Sequence, residues 1–349
     1  MNLFKNMLKE DESLFINEMA LDYDYLPRLL PFRDNQQFYL AECIKPLFNK
    51  RNSKNVLITG KPGIGKTALV KFVLRDLETE TSDIIPVYIN CWKKNTAHKI
   101  VLEICEQIGY KWVINKNSDE LLKSASTIIN QKALVLVLDE VDKLDDQQIL
   151  YSILEDIEKK SIFLISNDKE FLVKLDDRVK SRLIPEILEI RSYSYEETKE
   201  ILIQRVKHAF VQGIWDEKAL QLVAEKSYQN KDIRLGLFLL KESGNIAEIK
   251  ASKKILLEHC EQAVNKLDLF RKKAIQLNDE EKEILEIVKK NSGLIATQLY
   301  DIYKVNNDKS YRTFHRKLKS LEENNLVKIS ETRGDDGGVS SLVEFKKDL

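Results

Sequence analysis

Residues 55–72 read NVLITGKPGIGKTALVKF: an apolar run, then glycines and a lysine, then a second apolar run at helical spacing. Gly60-Lys61-Pro62-Gly63-Ile64-Gly65-Lys66-Thr67 fits GxxxxGK[ST] at every position. The glycines let the backbone fold tightly, so that its N–H groups converge on phosphate oxygens. The helix beginning here, with Ala68 in its first turn, adds the positive end of its dipole. Lys66 reaches the β and γ phosphates, and the Thr67 hydroxyl is placed for Mg²⁺. The stretch therefore calls for ATP/ADP or a close relative, with magnesium, at a strand–loop–helix junction. It does not choose the machine, because kinases, transporters, helicases, loaders and switches share such a loop.

Bulk properties narrow the class. At 349 residues the chain is too long for one ordinary core, so two or three domains are expected. Charged residues make up 32% yet cancel to a net charge of zero, so any grip on nucleic acid must come from a local basic patch. Only 11 glycines and 6 prolines point to a helix-rich protein. Cys43, Cys91, Cys105 and Cys260 lie far apart without a CxxC pair, which suits buried thiols in a reducing compartment better than a metal site. The opening MNLFKNMLKEDESLF has no apolar signal-peptide core, and no apolar run approaches membrane-spanning length. A cytoplasmic, nucleoid-associated protein without a membrane partner is expected.

Three blocks follow along the chain. NVLITG, IIPVYIN, ALVLVLDE and SIFLISN are continuously apolar, as strands of a parallel sheet covered on both faces are. With amphipathic stretches between them, they define an α/β core over 1–190, including a lead-in whose helix falls near NQQFYLAECIKPLFNK. Residues 191–274 read as all helix, with Ser194 as a cap. Residues 275–349 read as two or three short helices followed by two strands around a Gly/Asp turn.

ALVLVLDEVDKL ends a strand in Asp139 and Glu140. Side chains at the carboxyl end of a parallel strand face the ligand crevice. Asp139 would hold Mg²⁺, and Glu140 would polarise the water that attacks the γ phosphate. Asp142 reads as a surface or cap residue. Asn167 ends the next strand, where an amide could meet the γ phosphate or that water. Arg178 and Arg182 are four apart and share one helical face, as an exposed basic face or as arginine fingers for a neighbour's nucleotide.

This order of parts resembles the AAA+ ATPases, and more closely the archaeal-like Orc1/Cdc6 replication initiators. YLPRLLPFRDNQ (25–36) is similar to the family's LPHRE lead-in, and NKDIRLGLFLLKESGNIAE to its GDxRxAxxLLxxAxxxAE lid segment. The resemblance implies an AAA+ parallel-sheet core with an all-helical lid and a C-terminal winged-helix domain. It implies that Tyr25, Leu26, Pro27 and Arg33 line the adenine pocket, that Arg234 senses the γ phosphate, and that Arg178 or Arg182 reaches a neighbouring AAA+ subunit. Phe32 stands where the family has His, and Lys231 where it has Gly. The segment after Asn90 matches only loosely; the family's DNA-contacting insertion there points to Lys93, Lys94 and Lys99.

SYRTFHRKLKSLEENNLVKI is amphipathic, with Phe314, Leu318 and Leu321 inward. Arg312, Arg316, Lys317 and Lys319 fall early and Glu322 and Glu323 late, the reverse of what a helix dipole favours. A recognition helix entering a groove by its N-terminal half wants that polarity. Arg333 sits in the hairpin, where a wing could reach DNA. The resulting expectation is an ATP-dependent origin-binding initiator that grips duplex DNA and helps recruit or load the replicative helicase. A transposition-regulator or loader-like adaptor, a signalling ATPase with a winged-helix spacer, and a phosphotransferase are the competing readings.

Overall fold

The computed structural model describes residues 13–345 except 169, 275–276, 306, 308, 324–325 and 334–338, with the backbone alone at 270–274, 323, 331–333 and 339–340. The four apolar runs are strands: β1 (Val56–Thr59), β2 (Ile84–Asn90), β3 (Ala133–Asp139) and β4 (Lys160–Ser166). A fifth, β5 (Glu186–Glu189), joins them in the parallel order β2-β3-β4-β1-β5. The apolar-run reading missed β5 because it is an edge strand. Its glutamates face solvent, which is how an edge resists pairing with other chains.

Helix α1 (Asp34–Ile44) precedes β1, and α2 (Lys66–Glu80) links β1 to β2. Then α3 (Ala97–Gln107) and α4 (Ser118–Ile129) precede β3, α5 (Gln148–Asp156) precedes β4, and the short α6 (Phe171–Lys174) and α7 (Asp177–Leu183) precede β5. Alternate residues of β3 serve opposite layers. Leu134, Leu136 and Leu138 pack with α3, α4 and α5, whereas Val135 and Val137 pack with α1 and α2. Burial on both faces is why the run is apolar throughout. Because β3, β4 and β1 are neighbours, the phosphate loop, Asp139 and Asn167 all emerge at one edge of the sheet.

The next four helices are α8 (Tyr195–Ala209), α9 (Glu217–Asn230), α10 (Ile233–Ile249) and α11 (Leu257–Ala274). Ser194 and Glu197 form a capping box at α8, and Asp216 and Asp232 cap α9 and α10. The lead-in is strapped to this bundle. The Phe15 ring lies 4.6 Å from that of Phe210, and a Cβ at Gly244 would stand 2.4 Å from Phe15 Cζ. The four cysteines are buried and unbridged; burial pushes the Cys91 thiol up to about 12 and that of Cys260 to about 11.

The chain divides into two compact units, Met1–Glu261 and Gln262–Leu349. The stretch expected as the core and residues 191–261 of the stretch expected as the lid fall in the first; the division lies inside α11, ahead of the expected start at 275. The second unit holds α12 (Asp279–Lys290), β6 (Leu294–Ile295), α13 (Ala296–Lys304), α14 (Tyr311–Glu323), β7 (Val327–Arg333) and β8 (Val339–Phe345). Its antiparallel sheet, β6-β8-β7, and its three helices share a core of Ile284, Val288, Leu299, Phe314, Leu318 and Val343. This is a winged-helix arrangement. The Gly/Asp turn and the first twelve residues lie outside the described residues, as does the Arg333 side chain. Among the described residues no helix is long and apolar enough to cross a membrane.

Phe32 and Lys231 both carry a positive φ, at 62° and 54°. Lys231 closes α9 in the left-handed conformation, which an L side chain adopts at a cost of about 1–2 kcal/mol. Glycine avoids that strain but adds freedom to the unfolded chain, so Lys231→Gly should stabilise the protein by about 0.5–1 kcal/mol. A rise in the denaturant midpoint checks this; a fall would mean that the lysine side chain is a net stabiliser there.

Candidate nucleotide site and nucleic-acid interface

The phosphate loop turns at Gly60 (φ 149°), Gly63 (75°) and Gly65 (89°). Gly65 is the N-cap of α2 and gives no side-chain cap, so the first N–H groups of the helix are left for a ligand. Lys66 Nζ donates to the carbonyls of Gly60 (2.7 Å) and Lys61 (2.8 Å) and to Asn167 Oδ1 (2.8 Å). Burial pushes the Lys66 ammonium down to about 8. Asp139, Asp142 and Glu140 oppose that shift, and Arg234 adds to it.

Thr67 Oγ1 donates to Asp139 Oδ2 at 2.6 Å, and the Tyr88 hydroxyl donates to the same oxygen at 2.7 Å. The Glu140 N–H donates to Asp139 Oδ1 at 2.9 Å. Glu140 itself sits at φ 54°, a strained setting of the kind that gathers at working sites, and its Oε2 accepts from Asn90 Nδ2 at 3.4 Å. The hydroxyl and carboxylate of Thr67 and Asp139 are hard oxygen donors in contact, a set that suits Mg²⁺.

These groups line one wall of a cavity of about 530 Å³. Pro62, Gly63, Gly65 and Ala68 of the loop line it as well, together with Tyr25, Leu26 and Pro27 of the lead-in. Arg234 enters from α10, with its guanidinium held by Asp232 at 3.3 Å. Asp232 also lies against the loop, since a Cβ at Gly63 would stand 2.0 Å from its Oδ1. The Ile233 N–H donates to the Gly63 carbonyl at 3.1 Å.

Arg33 requires a correction. Expected in the adenine pocket, it is fully buried behind the loop. Its Nη2 donates to the carbonyls of Ile64 (3.2 Å) and Arg191 (2.9 Å), its Nε donates to the Tyr193 hydroxyl (3.0 Å), and it stacks over the Tyr193 ring. A buried cation needs acceptors, and these make it a prop joining the loop to the entry of the helical bundle. Ile64 is likewise buried beneath the loop, and Gly60 and Lys61 act through their carbonyls.

Arg178 and Arg182 lie outside the cavity on α7. Arg178 is 75% exposed and bonded to Asp176, whereas Arg182 pairs with Glu155 at 3.1 Å and lies over Tyr151. Lys94 pairs with Glu103, and Lys99 donates to Asn95. In the second unit Arg312, Arg316 and Lys319 are exposed along α14 and line a shallow cleft with Tyr311 and His315. Lys317, expected beside them, turns inward: its ammonium is 3.7 Å from Glu281 and only 19% exposed. Glu322 accepts from the Ile329 N–H at 2.9 Å, so part of the acidic end of the helix is explained by holding β7.

Residues 50–175 match the AAA domain family, and 199–265 match the Cdc6 AAA+ ATPase-type lid domain. The ORC1-type DNA replication protein 2 of Archaeoglobus fulgidus is 31% identical over 99% of this chain and 94% of its own length. The chain belongs to the ORC1-type family of AAA+ ATPases. The protein of the same description from Methanothermobacter thermautotrophicus is 30% identical over 96% of this chain and 92% of its own. Among solved structures, the Aeropyrum pernix ORC1 protein in complex with DNA superposes with a TM-score of 0.71 at 26% identity, covering 96% of this chain and 94% of that one. Membership in an AAA+ ATPase family shows nucleotide binding for this chain.

Sequence reading missed Tyr88 and Asn90, though the signal was present. They are two apart at the end of β2, so they share a face, and Asn90 is the register partner of Asp139. It also missed Arg75 and Arg205, whose partners are backbone carbonyls that no sequence pattern marks.

Lys66 links nucleotide binding to pH. Its pKa in the folded protein, about 8, lies below the free value of 10.5. The neutral form is therefore favoured in the fold, and the destabilisation from burying the charge is full below pH 8 and gone above 10.5. Phosphates favour the charged form, so ADP binding between those values must take up a proton. At pH 9 the binding enthalpy should vary with the ionisation heat of the buffer; buffer independence at pH 9 would contradict the assignment.

Proposed function

We propose that the chain is an ATP-regulated replication-origin initiator that binds duplex DNA through α14. The observation that carries this reading is the exposed basic row of Arg312, Arg316 and Lys319 on a winged-helix unit whose chain matches ORC1-type proteins along almost its whole length. The Arg333 wing would add a contact to the groove or the phosphates. The protein would work on DNA in the cell interior, and the bound complex would recruit or load the replicative helicase.

In the nucleotide site Lys66 and the first turn of α2 would hold the phosphates, and Thr67 and Asp139 would hold Mg²⁺, which neutralises phosphate charge when bound. Glu140 would orient and deprotonate the attacking water, with Asn90 restraining its carboxylate. Asn167, which accepts a hydrogen bond from Lys66, would contact the γ phosphate or that water. Arg234 would leave Asp232 for the γ phosphate. Arg178 or Arg182 would complete a neighbouring subunit's site, so that turnover by one chain alone is slow and ATP acts as a timer.

Replacing Arg312, Arg316 and Lys319 with Ala should weaken DNA binding and reduce the slope of log affinity against log salt by roughly 0.9 for each phosphate left without its cation. Lys317→Ala should leave the slope alone and lower stability, because it removes the cation facing the buried Glu281 carboxylate; an unchanged slope in the triple variant would remove α14 as the DNA face. Glu140→Gln should keep ATP binding and cut hydrolysis by about 10²-fold or more, measured as phosphate release. Mapping of bound DNA along the genome, with and without ATP, tests origin binding itself: scattered, nucleotide-independent binding would favour a general DNA-associated adaptor.

A further inference from the structure

The lead-in crosses the cavity between two arginines that belong to different parts of the first unit. Arg205, on α8, donates to the carbonyls of Ala20 (3.1 Å) and Tyr25 (3.4 Å), and its guanidinium lies 5.1 Å from the Tyr25 ring centroid. Arg75, on α2, donates to the carbonyls of Pro27 (3.1 Å) and Arg28 (3.3 Å) and stacks on Phe72 at 4.6 Å. The residues they bracket, Tyr25, Leu26 and Pro27, are cavity wall. Arg75 sits on the helix that begins at Lys66, two and a half turns further along, so it moves with the phosphate loop. Arg205 moves with the bundle whose α10 bears Arg234.

Four carbonyls of the lead-in are thus fixed by two planar cations, each spanning two acceptors. A guanidinium can bridge two carbonyls in a set geometry, and an ammonium cannot hold both in the same way. We propose that Arg205 and Arg75 are positioning residues that hold the 25–27 wall against the base of the nucleotide, so that recognition of the base, but not of the phosphates, depends on these two ties. This rests on the cavity being the ATP/ADP site.

The test compares two ligands on the full chain: ADP, which has a base, and inorganic tripolyphosphate, which has none. Arg205→Ala and Arg75→Ala should each lower ADP affinity about tenfold, the scale of removing a charge-assisted hydrogen-bonded pair, and leave tripolyphosphate affinity within about twofold. The preference for ATP over GTP should shrink in both. Arg205→Lys and Arg75→Lys keep the charge and the stem, and should show the same split at smaller size if an alanine variant does not fold. Equal reductions for the two ligands would make the arginines purely structural and overturn the proposal. Failure of the unaltered protein to bind either ligand would overturn the reading of the cavity, and the proposal with it.

Discussion

Gly63 is the point on which the arrangement turns. Its φ of 75° belongs to the phosphate loop, and the space where its Cβ would be is filled by the Asp232 carboxylate. Its carbonyl takes the N–H of Ile233, the first residue of α10. Asp232 meanwhile caps α10 and holds the Arg234 guanidinium. The shape of the loop and the position of the helix that carries the candidate sensor are therefore one constraint. Arg33 adds a second tie from behind, between the Ile64 carbonyl and the Arg191–Tyr193 segment that leads into the bundle.

The electrostatics of the cavity follow from burial. Lys66 is held by two carbonyls and an amide oxygen, which satisfy its hydrogens but bring no full negative charge, so its ammonium titrates low. A phosphate group supplies the missing charge, which gives the loop its affinity for anions. Asp139 is organised differently: Thr67, Tyr88 and the Glu140 N–H all donate to it. The Lys66 side of the cavity suits anions, and the Asp139 carboxylate beside it is already held by three donors.

The sheet and the loop were legible in the sequence because their causes are local. Unbroken apolar runs mark strands buried on both faces, and GKPGIGKT is a covalent pattern of conformational freedom and charge. The Ser194 cap and the inward face of α14 were legible for the same reason. What escaped depends on distant parts meeting. Arg33 was carried over as a pocket residue, and only the folded chain shows it serving the carbonyls of Ile64 and Arg191. Lys317 belongs to a basic run in the sequence, yet at its place on α14 it faces Glu281 of α12. Tyr88 and Asn90 become meaningful once β2 and β3 are in register. Lys231 is an instance of sequence and structure disagreeing productively: the residue differs from the family's glycine, but the backbone keeps the left-handed turn.

Nucleotide at the loop should be felt by the helical bundle through Gly63 and by the lead-in through its arginine ties. Amide hydrogen exchange with and without ADP tests this most directly. Slower exchange is expected at 60–68 together with the first turn of α10 (232–237) and the lead-in at 20–30. Protection confined to 60–68, with α10 and the lead-in exchanging as before, would contradict it.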